Sequence, residues 1–212
     1  MNPIDHVLQE SFPSVMVPAR EPVAPMTQPG ERLLIAADGV YLEVLRSWIH
    51  VVRRIARYEV KTAVPYGLVN EATELLCGPV PPTLVAEFSR MARAALPNEG
   101  GAWIVWDGVT RLFRLTPFAA LSHGPGHLVY ERPELRDGES VVVDCHSHGA
   151  GAAFFSRTDN DDDRHDVKFA FVLGNCDRRP STALRLCVKG ILQKMKDIPE
   201  AWQCALDSEV TQ

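Results

Sequence analysis

His146-Ser147-His148 closes an apolar run, Val141-Val142-Val143, and is followed after seven positions by Ser156 and after two more by Asp159. Two imidazoles, a hydroxyl and a carboxylate at that spacing are the inventory of a metal hydrolase. The valine run reads as a buried strand, so Asp144 to His148 lies where a strand leaves the core and side chains can face a cleft. Histidines at i and i+2 project from one face of an extended chain and can share one ion. Zn²⁺ accepts imidazole nitrogen and carboxylate oxygen, and a catalytic zinc site uses three protein ligands and leaves the fourth position to water. His146, His148 and Asp159 supply that count.

The whole spacing, H-x-H-x7-S-x2-D, resembles the signature of the JAMM metalloproteases, the JAB/MPN family, and the resemblance covers roughly residues 83 to 190. It implies a further glutamate upstream, after a helix that ends in proline and before a small-residue turn into a strand. Thr83 to Leu96 is helix-like, and Pro97-Asn98-Glu99-Gly100-Gly101-Ala102 leads into Trp103-Ile104-Val105-Trp106, so Glu99 is the matching residue. The resemblance implies Zn²⁺ on His146, His148 and Asp159, Glu99 as the carboxylate that moves the proton of the attacking water, and Ser156 as the oxyanion donor. It also implies a cytidine-deaminase-like α/β fold, a central mixed sheet with flanking helices. One position departs from the pattern: Gly149 follows the second histidine where the family usually has proline, and Gly149 with Gly151 predicts a looser loop.

The resemblance further implies amide hydrolysis by a peptidase or isopeptidase, at the extended tail of a ubiquitin-like protein or its conjugate. The β-rich segment before the domain, its Pro65-Tyr66-Gly67 turn and the Ala95-Leu96-Pro97-Asn98-Glu99 helix end are also similar to a protein family of the plasmid-borne ParB-related, ThiF-related cassette. That likeness implies a ThiF-like, E1-type activating enzyme as a second partner. Two other readings stay open. Val143 to His148 also resembles the first strand of an amidohydrolase barrel, although a barrel needs about 250 residues, mostly after that strand, and too few follow. The other is a non-catalytic MPN-type scaffold, whose members typically lack the ligands that this chain keeps.

Plainer readings stand beside these residues. Ser156-x-x-Asp159 is a capping box that would begin a helix, and both roles can hold at once. Asp161, Asp162, Asp163 and Asp166 read as a solvated face, with His165 exposed among them. Asp144 is a candidate acceptor for an outer nitrogen of a ligand histidine. Cys145 reads as a buried strand-end thiol, and His123 and His127, in a glycine-rich loop, either line a substrate groove or are simply exposed, exposure being the plainer reading.

The elements that must position these residues follow from patterning. At 212 residues and 46% apolar, the chain can bury a sizeable core. Residues 1 to 30 hold six prolines and no periodicity, and read as an extended arm. Residues 31 to 80 form a β-rich subdomain, in which Leu33 to Ala36, Val40 to Leu45 and Trp48 to Ile55 are strands. Arg53, Arg54 and Arg57 make a solvated basic strand end. Gly78 to Pro82 reads as the linker, and the resemblance makes residues 81 to 212 the JAMM domain. Within it, Leu84, Val85, Phe88, Met91, Ala92 and Ala95 recur at helical spacing behind Thr83 as N-cap. Asp107-Gly108 and Asp137-Gly138 are turns, Phe169 to Leu173 and Leu184 to Val188 are strands, and Ile191 to Met195 and Ala201 to Leu206 are short helices.

A net charge of -5 offers no basic field to phosphate backbones, which argues against nucleic acid as a main partner. Five cysteines, odd in number and without a CxxC pair, fit a reducing cytoplasm. No apolar stretch reaches about 18 residues and the N-terminus carries no signal-peptide pattern, so neither membrane nor export is expected.

Overall fold

Alternating apolar residues from Leu33 onward become strands in the computed structural model, which describes residues 2–60 and 63–210. The chain divides into two compact units, Met1–Gly78 and Pro79–Gln212. In the first, helix α1 (Pro3–Ser11) precedes strands β1 (Ser14–Met16), β2 (Gly30–Ile35), β3 (Gly39–Leu45), β4 (Ile49–Arg57) and β5 (Ala72–Leu75). They form one sheet in chain order, antiparallel except for the β1/β2 pair. Val17, Leu34, Ala36, Tyr41 and Val52 pack as its core.

The expected extended arm over residues 1 to 30 therefore gives way to α1 and β1 in its first half, while residues 17 to 29 carry no helix or strand. Pro3 sits at the start of α1, where its missing N–H costs nothing, and the Asn2 side chain accepts from Ile4 N. Pro13 and Pro18 bracket β1 and leave its ladder to β2 intact.

The second unit opens with helix α2 (Pro82–Ala94), then β6 (Gly101–Asp107), β7 (Leu112–Pro117), β8 (Ala119–Gly124), β9 (His127–Glu131) and β10 (Glu139–Ser147). Helix α3 (Arg157–Asp162) and a single 3₁₀ turn (Asp163–His165) lead to β11 (Val167–Gly174), β12 (Ser181–Val188), β13 (Ile191–Lys194) and helix α4 (Glu200–Val210). Six strands make an open mixed sheet, ordered β13-β12-β11-β10-β6-β7, while β8 and β9 pair as a separate hairpin. Only β10 and β11 run parallel within the large sheet. A parallel pair needs a long crossover, and α3 lies in it. An open sheet with antiparallel neighbours is not the closed parallel barrel of the amidohydrolase reading.

Helix α2 buries Val85, Phe88 and Ala92 of the expected stripe together with Ala86 and Ser89, while Leu84, Met91 and Ala95 are only half-buried, so the buried face is rotated from the one its apolar spacing predicts. Its N-cap is Pro81 rather than Thr83, because Pro82 takes the first helical position that proline's fixed φ favours. Phe171 of β11 meets Phe88 edge-on at 6.3 Å between ring centroids and Trp202 of α4 at 5.6 Å. These rings join both helices to the sheet, each buried aromatic contributing about 1.5–3 kcal/mol. Ile191 to Lys194 is a strand, not the short helix expected. Lys189 and Gly190 both have positive φ and make a tight turn that returns the chain onto β12.

Candidate active site

Strand β10 sorts its last residues by face. Ser147, fully buried, points away from its histidine neighbours, and its Oγ accepts from Gly100 N at 2.9 Å while its own N–H donates to Gly100 O at 2.8 Å. This clamp fixes the backbone beside Glu99 to the strand that carries His146. Glu99 N donates to Gly124 O at 3.0 Å, so the β8–β9 hairpin holds the same segment from its other side.

The loop after His148 is tied down rather than loose. Gly149 has φ +53° and lies so close to Pro97 that a Cβ would stand 2.9 Å from its carbonyl oxygen. Proline, locked near φ −65°, cannot take that conformation, so the family's usual residue would not fit this backbone. Gly149 O accepts from Cys176 N at 2.8 Å, and Gly151 N donates to His148 O at 2.8 Å.

His146, His148 and Asp159 converge, each with one ligand atom inside a group spanning no more than 4.8 Å. The two Nε2 atoms are 3.2 Å apart, and His146 Nε2 is 3.6 Å from Asp159 Oδ1. A tetrahedral ion with bonds of about 2.0–2.1 Å has ligand edges of roughly 3.3–3.4 Å, so this donor set fits a zinc ion. His148 directs its Nδ1 to Ala152 O at 3.0 Å, which fixes the ring as an outer acceptor should. That acceptor is not Asp144, whose carboxylate is engaged by Lys168 Nζ at 2.7 Å. Burial outweighs the nearby Asp159 carboxylate and holds His146 below the ordinary histidine value. Its neutral form is the one that binds metal.

Asp159 serves the capping box and the cluster together. Its Oδ2 accepts from Ser156 N at 2.6 Å and its Oδ1 faces His146, while Ser156 Oγ accepts from Asp159 N at 3.1 Å. The Ser156 hydroxyl keeps its own proton to donate elsewhere. Glu99, His127, His146, His148, Ser156 and Asp159 line one cleft of about 510 Å³. Burial, reinforced by Asp159, raises the Glu99 carboxyl above its usual range, against the opposing pull of His148 and His127.

His127 satisfies both of its readings: it is exposed, and it lines the cleft from the hairpin, paired with Ser122 Oγ at 3.1 Å. Pro125-Gly126 between two short alternating runs was the available signal for that hairpin. The acidic run is not one solvated face: Asp161, Asp162 and His165 are exposed, but Asp163 is buried against Lys168 and Arg185. Cys145 is buried, and its surroundings push the thiol well above its usual value.

The open mixed sheet, flanking helices and a His-His-Asp cluster at the end of β10 define a JAB-type α/β unit. Residues 81–187, half of the chain, match the family described as prokaryotic homologs of the JAB domain, and the chain belongs to that family. Residues 2–76 match a domain of unknown function, DUF2016. No curated protein matches the sequence. Among solved structures, the chain is similar to the solution structure of protein DSY2949 from Desulfitobacterium hafniense, at 20% identity and TM-score 0.41, over 55% of this chain and 88% of that one. No helix of the described residues is long and apolar enough to cross a membrane.

Proposed function

We propose that the protein is a zinc-dependent peptidase or isopeptidase that hydrolyses an amide bond at the C-terminal tail of a ubiquitin-like protein. The observation that carries this reading is the convergence of His146, His148 and Asp159 in the cleft that Glu99 and Ser156 also line. His146, His148 and Asp159 would hold the ion, which when bound supplies Lewis-acid polarisation and makes water more acidic. Glu99, its carboxyl already favouring the proton through burial, takes the proton of the attacking water and returns it to the leaving amine. Ser156 donates its hydroxyl proton to the carbonyl oxygen as negative charge develops there. No covalent link between enzyme and substrate is needed.

The β8–β9 hairpin forms a sheet of its own beside the cleft, and an extended tail can add to such an edge as a further strand. The sequence likeness to the ParB-related, ThiF-related cassette family, carried by the β-rich segment, Pro65-Tyr66-Gly67 and Ala95 to Glu99, supports that cassette's ubiquitin-like protein as substrate and its ThiF-like enzyme as partner. The test is capture with Glu99→Gln, which should retain zinc and hold a ubiquitin-like protein that the wild type cleaves and the variant does not. Wild-type protein that binds zinc and the captured partner but releases no product would make the chain a scaffold instead.

A further inference from the structure

The segment that carries Asp159 has little of its own to hold it. Helix α3 is six residues long and none of its residues is buried, and a helix that short does not persist in isolation. Its capping box ties Ser156 to Asp159 inside the segment and does not anchor either to the sheet. Arg185 does. This residue of β12 is 1% exposed, and its guanidinium donates to Asp159 O at 2.9 Å, to the Asn160 side chain and to Asp163 Oδ2, while lying 3.9 Å over the Phe155 ring. One planar fork thus grips the backbone of the candidate ligand itself and three residues around it.

Arg185 is also linked to the histidine strand. Asp163, which accepts from Arg185, accepts a second cation, Lys168 of β11, at 2.9 Å. Lys168 reaches Asp144 at 2.7 Å, and Asp144 lies two residues before His146 on the same face of β10. Charge pairing therefore runs from the histidine strand, through β11, to the segment that bears the carboxylate. A buried ion pair adds little net stability over apolar residues of similar volume, so stability alone does not require a guanidinium here.

Resting on the metal-centre reading, we infer that Arg185 is a positioning residue: it sets where the Asp159 carboxylate stands relative to His146 and His148, and so sets the affinity and geometry of the ion. Asp163 is its counterion, and Lys168 carries the link to β10.

The test compares zinc affinity by chelator competition, and the visible absorption of cobalt-loaded protein, in wild type, Arg185→Met, Arg185→Lys and the core variant Leu206→Ala. Loss of an outer-shell partner typically weakens metal binding about 10–100-fold, and Arg185→Met should fall in that range with altered cobalt bands. Arg185→Lys keeps a cation for Asp163 but cannot span Asp159 O and Asn160 together, so it should weaken binding too. Leu206→Ala, destabilised in the core under α4, should bind zinc like the wild type once folded. Wild-type affinity and spectrum in Arg185→Met, or in Arg185→Lys if the first does not fold, would overturn the inference while the metal centre stands. Zinc taken up equally by wild type and His148→Ala would instead remove the metal centre, and the inference with it.

Discussion

Ser156 is the residue in which structure and proposed chemistry are hardest to separate. Its Oγ accepts from Asp159 N, so removing the hydroxyl takes away a helix cap as well as the donor assigned to the carbonyl oxygen. Glycine and alanine divide the two roles. At an N-cap, alanine costs about 1 kcal/mol whereas glycine costs a few tenths. Neither can donate a hydroxyl proton, and loss of one oxyanion donor lowers turnover about 10²–10³-fold. Ser156→Ala and Ser156→Gly should therefore lose similar turnover while Ser156→Ala melts at the lower temperature. If turnover follows melting temperature across the two, Ser156 acts by capping alone. Glu99 is the contrasting residue. Its side chain has no capping duty, and the segment is held through the backbone of Glu99 and Gly100.

At the scale of elements, the network around Asp163 makes a pH prediction. Burial works to raise this carboxyl, but Lys168 and Arg185 overcome it and hold the folded value below 3.8. A carboxyl depressed by folding contributes stability that is full above its unfolded value and drains as pH falls through 3.8 toward the folded value. Asp163→Asn should start from a lower melting temperature at neutral pH and lose less of it on acidification through that window. Parallel losses in the two proteins would remove Asp163 from the acid response. The network also marks where sequence reasoning stops. The His146, His148 and Asp159 group was legible because spacing along one strand and one helix start is local information, and the face of α2 was legible only in part, at Val85, Phe88 and Ala92. Asp163 was not, because its cations come from β11 and β12 and meet it only after the strands pair. Lys189-Gly190 was a readable turn, yet Ile191 to Lys194 is too short for its period to distinguish strand from helix. Asn2 and Pro3 were start signals hidden among prolines that dominated the composition.

For the whole molecule, the division into units sets the question of which part does what. Every residue of the candidate site lies within Pro79–Gln212, and the first unit has its own sheet and core. We expect residues 1 to 78 to govern partner choice and the second unit to bind metal. A truncated chain tests this, but its starting residue matters. Val80 is 7% exposed, and its carbonyl accepts from Trp202 Nε1 at 3.2 Å. A chain beginning at Pro81 discards a buried side chain, worth about 1.5–3 kcal/mol, and leaves a buried indole N–H unpaired at a cost of about 1–3 kcal/mol. It should melt well below a chain beginning at Pro79, although both keep α2 and every ligand. The Pro79 chain, checked by circular dichroism, should take up zinc with wild-type affinity, lose it in His148→Ala, and cleave the native protein substrate poorly. Collapse of zinc affinity in that folded chain would show that the first unit helps to build the metal centre, and full activity on the native substrate would show that recognition lies wholly in the second.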